Sequence, residues 1–258
     1  MPGFLPRVDQ ERSHPFLPEQ PRIILYTGRF NIVPWIFGLT SMEGAFFLPI
    51  SLPTEELVSQ VAGKDLRSWA KFLAFVGESE FGILDCHADP TKETRKVLDF
   101  FAPGFGTVSL KTLAVVLSDR FYVNEISEEI RLASAHAPIY KYVLDHVGPG
   151  RLTFDVDLPV PSNLPWPAPE LGVGHADDVR YLFSTDSLPR ERPGSPGYVM
   201  IRFMTNLWTN FARTGRPSSD VLPMPDWPIF TERSQRHMRL NSQPALGERL
   251  FEERVNYF

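Results

Sequence analysis

Two side chains in this sequence have the chemistry to pass a proton between heteroatoms and a local context that presents them for it. The first is His175, in the stretch GVGHADDVRYLF over residues 172–183. Gly172 and Gly174 flank it, and residues without a Cβ permit a sharp turn that leaves the imidazole uncrowded. Asp177 and Asp178 follow, where carboxylates favour the start of a helix. The second is Glu43, in VPWIFGLTSMEGAFF over residues 33–47, an acid delivered with Gly44 just after an apolar run. A loop histidine standing alone is more often a structural or surface residue. A lone glutamate in such a place is more often a helix cap or a solvated carboxylate. The two together argue for chemistry: a carboxylate that orients an imidazole, and an imidazole that acts as base and then as acid.

The elements that must position this pair are legible from periodicity. Residues 33–40 are a near-continuous apolar run, which is how a parallel strand covered on both faces reads, and catalytic groups in open α/β sheets gather at the carboxyl ends of such strands. Residues 139–144, IYKYVL, form the next predicted strand, followed by a proline-rich excursion over 159–169 that leads to His175. Helices are expected over residues 19–30 with Gly28 as a stop, and over 54–62, 66–76, 92–101, 107–121 and 125–135. The most regular helix is expected over 197–214, where Met200, Phe203, Met204, Leu207, Trp208 and Phe211 make an apolar stripe bounded by Gly215, a core pattern rather than a ligand groove. An edge strand over 237–240 and a charged helix over 246–255 complete the expectation. Strands alternating with helices make an α/β fold: a few-stranded, mostly parallel sheet with many covering helices.

Several motifs agree in order and spacing with one known family. The sequence PFLPEQPRIILYTGRFNIVPWIFGLTSMEGAFF, then SDRFY, APIYKYVLDH, GVGHADDVRYLF, NLWTNFARTGRP, DWPIF and GERLFEERVNYF resembles the C-terminal half of a type-B carboxylesterase. This is the cholinesterase and carboxylesterase family of the α/β-hydrolase fold, whose triad follows the chain order Ser, Asp or Glu, His. The resemblance implies that residues 1–258 form part of such a domain. It also implies that Glu43 is the triad acid, that His175 is the triad base, and that Phe46 and Phe47 line the substrate gorge. The implied substrate is a small carboxylic ester with an apolar acyl part.

The departure from the family is as informative as the match. The nucleophile elbow Gly-x-Ser-x-Gly occurs nowhere in the sequence, and neither does the early glycine-rich oxyanion loop. Ser195, in PGSPG, has the wrong glycine spacing and follows the histidine. The expectation is therefore the C-terminal portion of a serine-type ester hydrolase that is inactive alone, with Met1 an artificial or truncated start. The alternative is a non-catalytic, cholinesterase-like binding or adhesion domain. A strand cut off from its partner half predicts an aggregation-prone chain unless that half is supplied.

Composition excludes other classes. A net charge of −5 argues against a nucleic-acid surface, and no apolar run approaches the length that spans a bilayer. The first residues lack the layout of a signal peptide, and no compartment is assigned. The single cysteine, Cys86, excludes an intrachain disulfide. DCHADP, residues 85–90, groups a thiol, an imidazole and two carboxylates in a loop that leads into a helix at Pro90, but it lacks the paired ligand spacing of a metal site. No metal and no cofactor is expected. His14, His136, His146 and His237 read as structural or surface residues.

Overall fold

The computed structural model describes residues 7–48, 89–101, 109–148, 171–184 and 190–255. The helices expected over 54–62 and 66–76, the proline-rich excursion over 159–169 and most of DCHADP lie outside the described residues.

Strand β1 is Trp35–Thr40 and β2 is Ile139–Leu144. They pair in parallel from Trp35 with Ile139 to Thr40 with Leu144. Strand β3, His237–Leu240, pairs in parallel with the other edge of β2, and β4, Ala245–Gly247, runs antiparallel to β3. The order is β1-β2-β3-β4, an open and mostly parallel sheet. Pro34 precedes β1, so the strand begins two residues later than the apolar run suggests.

Alternation along β2 builds two cores, one on each face. Tyr140, Tyr142 and Leu144 join Met238 and Leu240 under a long helix, while Ile139 on the other face meets Phe230 and Ile130. That long helix is Pro196–Thr214, the fifth of the described helices and labelled α5. Its stripe packs as expected, with Met200, Phe203, Met204 and Leu207 fully buried. Ser195 is its N-cap: the Oγ accepts the Tyr198 N–H at 3.1 Å and donates to Glu191 at 2.8 Å. Gly215 closes the helix with φ +73°.

The other helices are α1, Pro21–Thr27; α2, Pro90–Phe101; α3, Leu110–Ser118; and α4, Asn124–Ser134. Helix α1 ends at Gly28, whose left-handed φ of +69° and contact with the His136 ring leave no room for a Cβ. Helix α2 starts at Pro90, where Asp89 accepts the Lys92 N–H at 3.0 Å. The single helix expected over 107–121 instead ends at Ser118. A π-helical turn, Asp119–Val123, then leads directly into α4. Such turns cluster at functional sites because the widened backbone re-aims side chains.

Two expectations about the C-terminal region are corrected. Residues 237–240 are not an edge strand, because β4 covers their outer side. Residues 246–255 are not a helix. Leu246 and Gly247 are held in β4, and Arg249 and Phe251 adopt φ of +51° and +58°, values that no right-handed helix accommodates. No helix among the described residues is long and apolar enough to cross a membrane.

Candidate active site

Strands β1 and β2 end side by side, and the chain beyond each carboxyl end builds the site. After Thr40, β1 enters a tight turn and then the 3₁₀ segment Glu43–Phe47. Gly44 is indispensable there: a Cβ would lie 2.1 Å from the Ala114 carbonyl and 2.4 Å from the Ser118 nitrogen, both backbone atoms of α3. Its N–H instead donates to Ser118 Oγ at 2.8 Å, and that hydroxyl donates to the Ala114 carbonyl at 2.7 Å. The turn is thereby fixed to α3, and Glu43 is 5% exposed.

Both carboxylate oxygens of Glu43 are engaged. Oε1 accepts the Thr40 N–H at 2.6 Å, and Oε2 accepts from His175 Nδ1 at 2.8 Å. The two residues are 132 positions apart in sequence. The His175 side chain is 40% exposed against 6% for Glu43, so the ring bridges a buried acid and the outer surface. The hydrogen bond that His175 donates to Glu43 raises the imidazole pKa above its ordinary value of 6.5, ahead of burial, which works in the opposite direction.

The His175 loop is held from several sides. Met42 N–H donates to the Val173 carbonyl at 2.8 Å, and Val173 N–H donates to Ser41 Oγ at 3.2 Å, which ties the loop to the Glu43 turn. Asp177 accepts the Gly174 N–H at 2.8 Å. Tyr142 of β2 lays its ring across Gly38 of β1, leaving 2.3 Å to where a Cβ would stand, and donates its hydroxyl to Asp178 at 2.8 Å. The two aspartates were expected to start a helix. They are instead committed to this loop, and only the three-residue 3₁₀ turn Val179–Tyr181 follows. Gly172 has the anticipated positive φ, +72°, but the second left-handed residue is Ala176 at +65° rather than Gly174.

The aromatic surroundings come from two elements. Phe46 meets the His175 ring edge-on at 5.7 Å between centroids. Phe47 turns to Phe121 at 4.6 Å and Tyr122 at 6.0 Å. Tyr122, delivered by the π-helical turn, stacks on His175 at 4.6 Å and 24°. Burial, followed by the nearby Glu43 charge, pushes its phenol up to about 12, so it stays neutral. Sequence analysis assigned Tyr122, Tyr142, Ser41 and Ser118 no role. All four nevertheless lie in the motifs that carry the family resemblance, Ser41 in GLTSMEGAFF, Ser118 and Tyr122 in SDRFY, and Tyr142 in APIYKYVLDH.

As an arrangement, a buried carboxylate holds one imidazole nitrogen while aromatic faces cover the ring. This is the geometry of a general base whose protonated form is stabilised. Among the described residues, no group of three or more His, Cys, Asp or Glu side chains is placed to hold a metal.

Comparison with known proteins identifies the family. A model described as the carboxylesterase family matches residues 2–258. Acetylcholinesterase of Bungarus fasciatus is 27% identical over 256 residues, covering 93% of this chain and 36% of its own length. Cocaine esterase of Oryctolagus cuniculus is 25% identical over 248 residues, covering 94% of this chain and 42% of its own. Among solved structures, a thermophilic pNB esterase superposes with a TM-score of 0.57 at 18% identity, over 92% of this chain and 40% of that one. The chain thus spans about two fifths of the length of these relatives.

Proposed function

This chain belongs to the carboxylesterase family, and from that premise we propose that Glu43 and His175 are the acid and base of a carboxylic ester hydrolase. The observation that carries the proposal is the 2.8 Å hydrogen bond between Glu43 Oε2 and His175 Nδ1, formed across 132 residues of sequence. A serine hydroxyl is a weak nucleophile at neutral pH until a base removes its proton. With Nδ1 engaged by the carboxylate, His175 would take that proton through Nε2 and later return it to the leaving alkoxide. Glu43 would hold the tautomer and stabilise the imidazolium. Phe46, beside the ring, and Phe47, which packs on Phe46, would contact the acyl part of the ester.

The same proposal assigns the nucleophile to a segment outside these 258 residues, because Gly-x-Ser-x-Gly is absent from them. On this view the chain by itself does not turn esters over. The test is to present it with a chromogenic short-chain ester and a phosphonate probe that labels active serines. It is then tested again after co-expression with the N-terminal half of a type-B carboxylesterase. The expected result is neither turnover nor label alone, and both in the completed protein, with turnover lost in His175→Gln. A completed and correctly folded protein that takes neither label nor substrate would favour the non-catalytic, cholinesterase-like binding domain.

A further inference from the structure

The face of the sheet opposite α5 carries a group that the Glu43–His175 pair does not use. Because Tyr140 and Tyr142 point into the α5 core, Lys141 between them points to the other side. The register pairs Lys141 with Phe37 of β1, and the pairing of Tyr142 with Met238 places Lys141 beside His237 of β3. Lys141 is 3% exposed and His237 equally so, an unusual burial for a lysine.

The ammonium has no carboxylate partner among the described residues. Its contact is the Phe230 ring, 5.6 Å from Nζ to the centroid. Lys141 lines a cavity of about 90 Å³ between α4 and the C-terminal segment. The charged groups that face this cavity are Glu128 and Arg131 from α4 and Glu232 from the loop before β3. Glu128 is committed to Arg22 at 2.6 Å and to Arg131 at 3.7 Å. Burial alone lowers the Lys141 amine to about 8, and burial followed by the Lys141 charge lowers His237 to about 4. His237 is therefore neutral and adds no like charge beside the amine.

We propose that Lys141 is a second reactive centre, a neutral amine at the base of this cavity that takes a short acyl group from an activated carboxylic ester. The Nζ lone pair attacks the ester carbonyl carbon and a C–N bond forms. The C–O bond to the leaving group breaks, and the proton lost from nitrogen accompanies the departing aryloxide as a phenol. The product is an amide, so the reaction runs once and stops. A cavity of this size admits an acetyl-sized group and excludes long acyl chains. A buried lysine is suited to this role because desolvation frees its lone pair near neutral pH.

The test uses the full chain and p-nitrophenyl acetate between pH 7 and 10, with acetylated lysines mapped by peptide mass spectrometry. Lys92, Lys96 and Lys111 are exposed internal references. The expected result is acetylation of Lys141 with a rate midpoint near pH 8. It should proceed roughly tenfold faster at pH 8 than at the references. At most one equivalent of p-nitrophenol should be released from this site, that release should be absent in Lys141→Met, and the advantage should vanish in urea. Lys141 left unmodified in the folded chain, or rising with pH in parallel with the references, would overturn the proposal. Serine chemistry is read separately by the phosphonate probe, so the two proposals fail independently.

Discussion

The two ends of the Glu43–His175 hydrogen bond are built in opposite ways. Glu43 stands in a turn clamped to α3, nearly inaccessible, with each oxygen spoken for. His175 stands in a loop held by hydrogen bonds from neighbouring elements, with much of its ring open and a left-handed alanine beside it. A carboxylate that only orients its partner benefits from burial, because a low-dielectric setting strengthens its pull and fixes its direction. An imidazole that is to meet a substrate, the role proposed for His175, has to stay accessible. The asymmetry teaches that the acid belongs to the fold and the base to the surface, and each expectation below probes one side of that division.

The largest effects should fall on catalysis by the completed protein and should be alike for both ends. Glu43→Gln and His175→Gln are each expected to lower kcat on the order of 10⁴-fold or more. Their stabilities should diverge. Glu43→Gln disturbs a buried, doubly bonded group and should lower the melting temperature, whereas His175→Gln, measured above the pH at which His175 titrates, should leave it near wild type. Equal melting losses in thermal denaturation would dissolve the comparison.

Next in size is Gly44→Ala, which drives a methyl group into the backbone of α3. Destabilisation of about 3 kcal/mol is expected, read as a shift in the urea midpoint at constant slope. A shift of a few tenths would mean that the Glu43 turn is no more rigid than the histidine loop.

On the surface side, Tyr142→Phe removes the hydroxyl that reaches Asp178 and should cost about 1 kcal/mol in the same measurement. Its activity loss in the completed protein should exceed what that stability change explains, because the loop it releases carries His175. Ala176→Gly relieves a left-handed φ of +65° and should stabilise the chain by about 0.5 kcal/mol or leave it unchanged. A clear loss would show that the loop needs the alanine methyl.

The gentlest probe is pH. The His175 pKa is raised above 6.5 in the folded chain, chiefly by the Glu43 hydrogen bond. Its contribution to stability is therefore complete below 6.5 and lost as pH rises through the elevated value. The advantage of wild type over His175→Gln should shrink across that window in paired melts. On the proposed role of His175, activity of the completed protein needs the neutral ring and should rise over the same window. Glu43→Gln should move that rise to lower pH in whatever activity remains.

A second contrast lies within the sheet. Strand β2 is buried along its whole length, but β1 only at Leu39 and Thr40. Among the described residues, β1 is paired along one edge alone. An edge left unpaired would template association, which a partner half would relieve. Light scattering of the chain with and without that half is the measurement that checks it.

The sequence alone determined the local periods. The β2 strand and the α5 helix appear at their expected positions because alternation and helical stripes are local properties of side chains, and Ser195 and Gly215 are a local start and a local stop signal for α5. The order and spacing of the motifs also picked out Glu43 and His175. What the tertiary structure decided depends on neighbours remote in sequence. It set the 2.8 Å contact of the pair and the π-helical turn that stacks Tyr122 on the imidazole. It drew Asp177 and Asp178 into loop bonds instead of a helix, and it added β4, which turned an expected edge into an interior strand. Each of these arises where a group can bond either locally or across the molecule. The distant partner, Ser118 for Gly44 or Tyr142 for Asp178, becomes available only once the chain has folded around it.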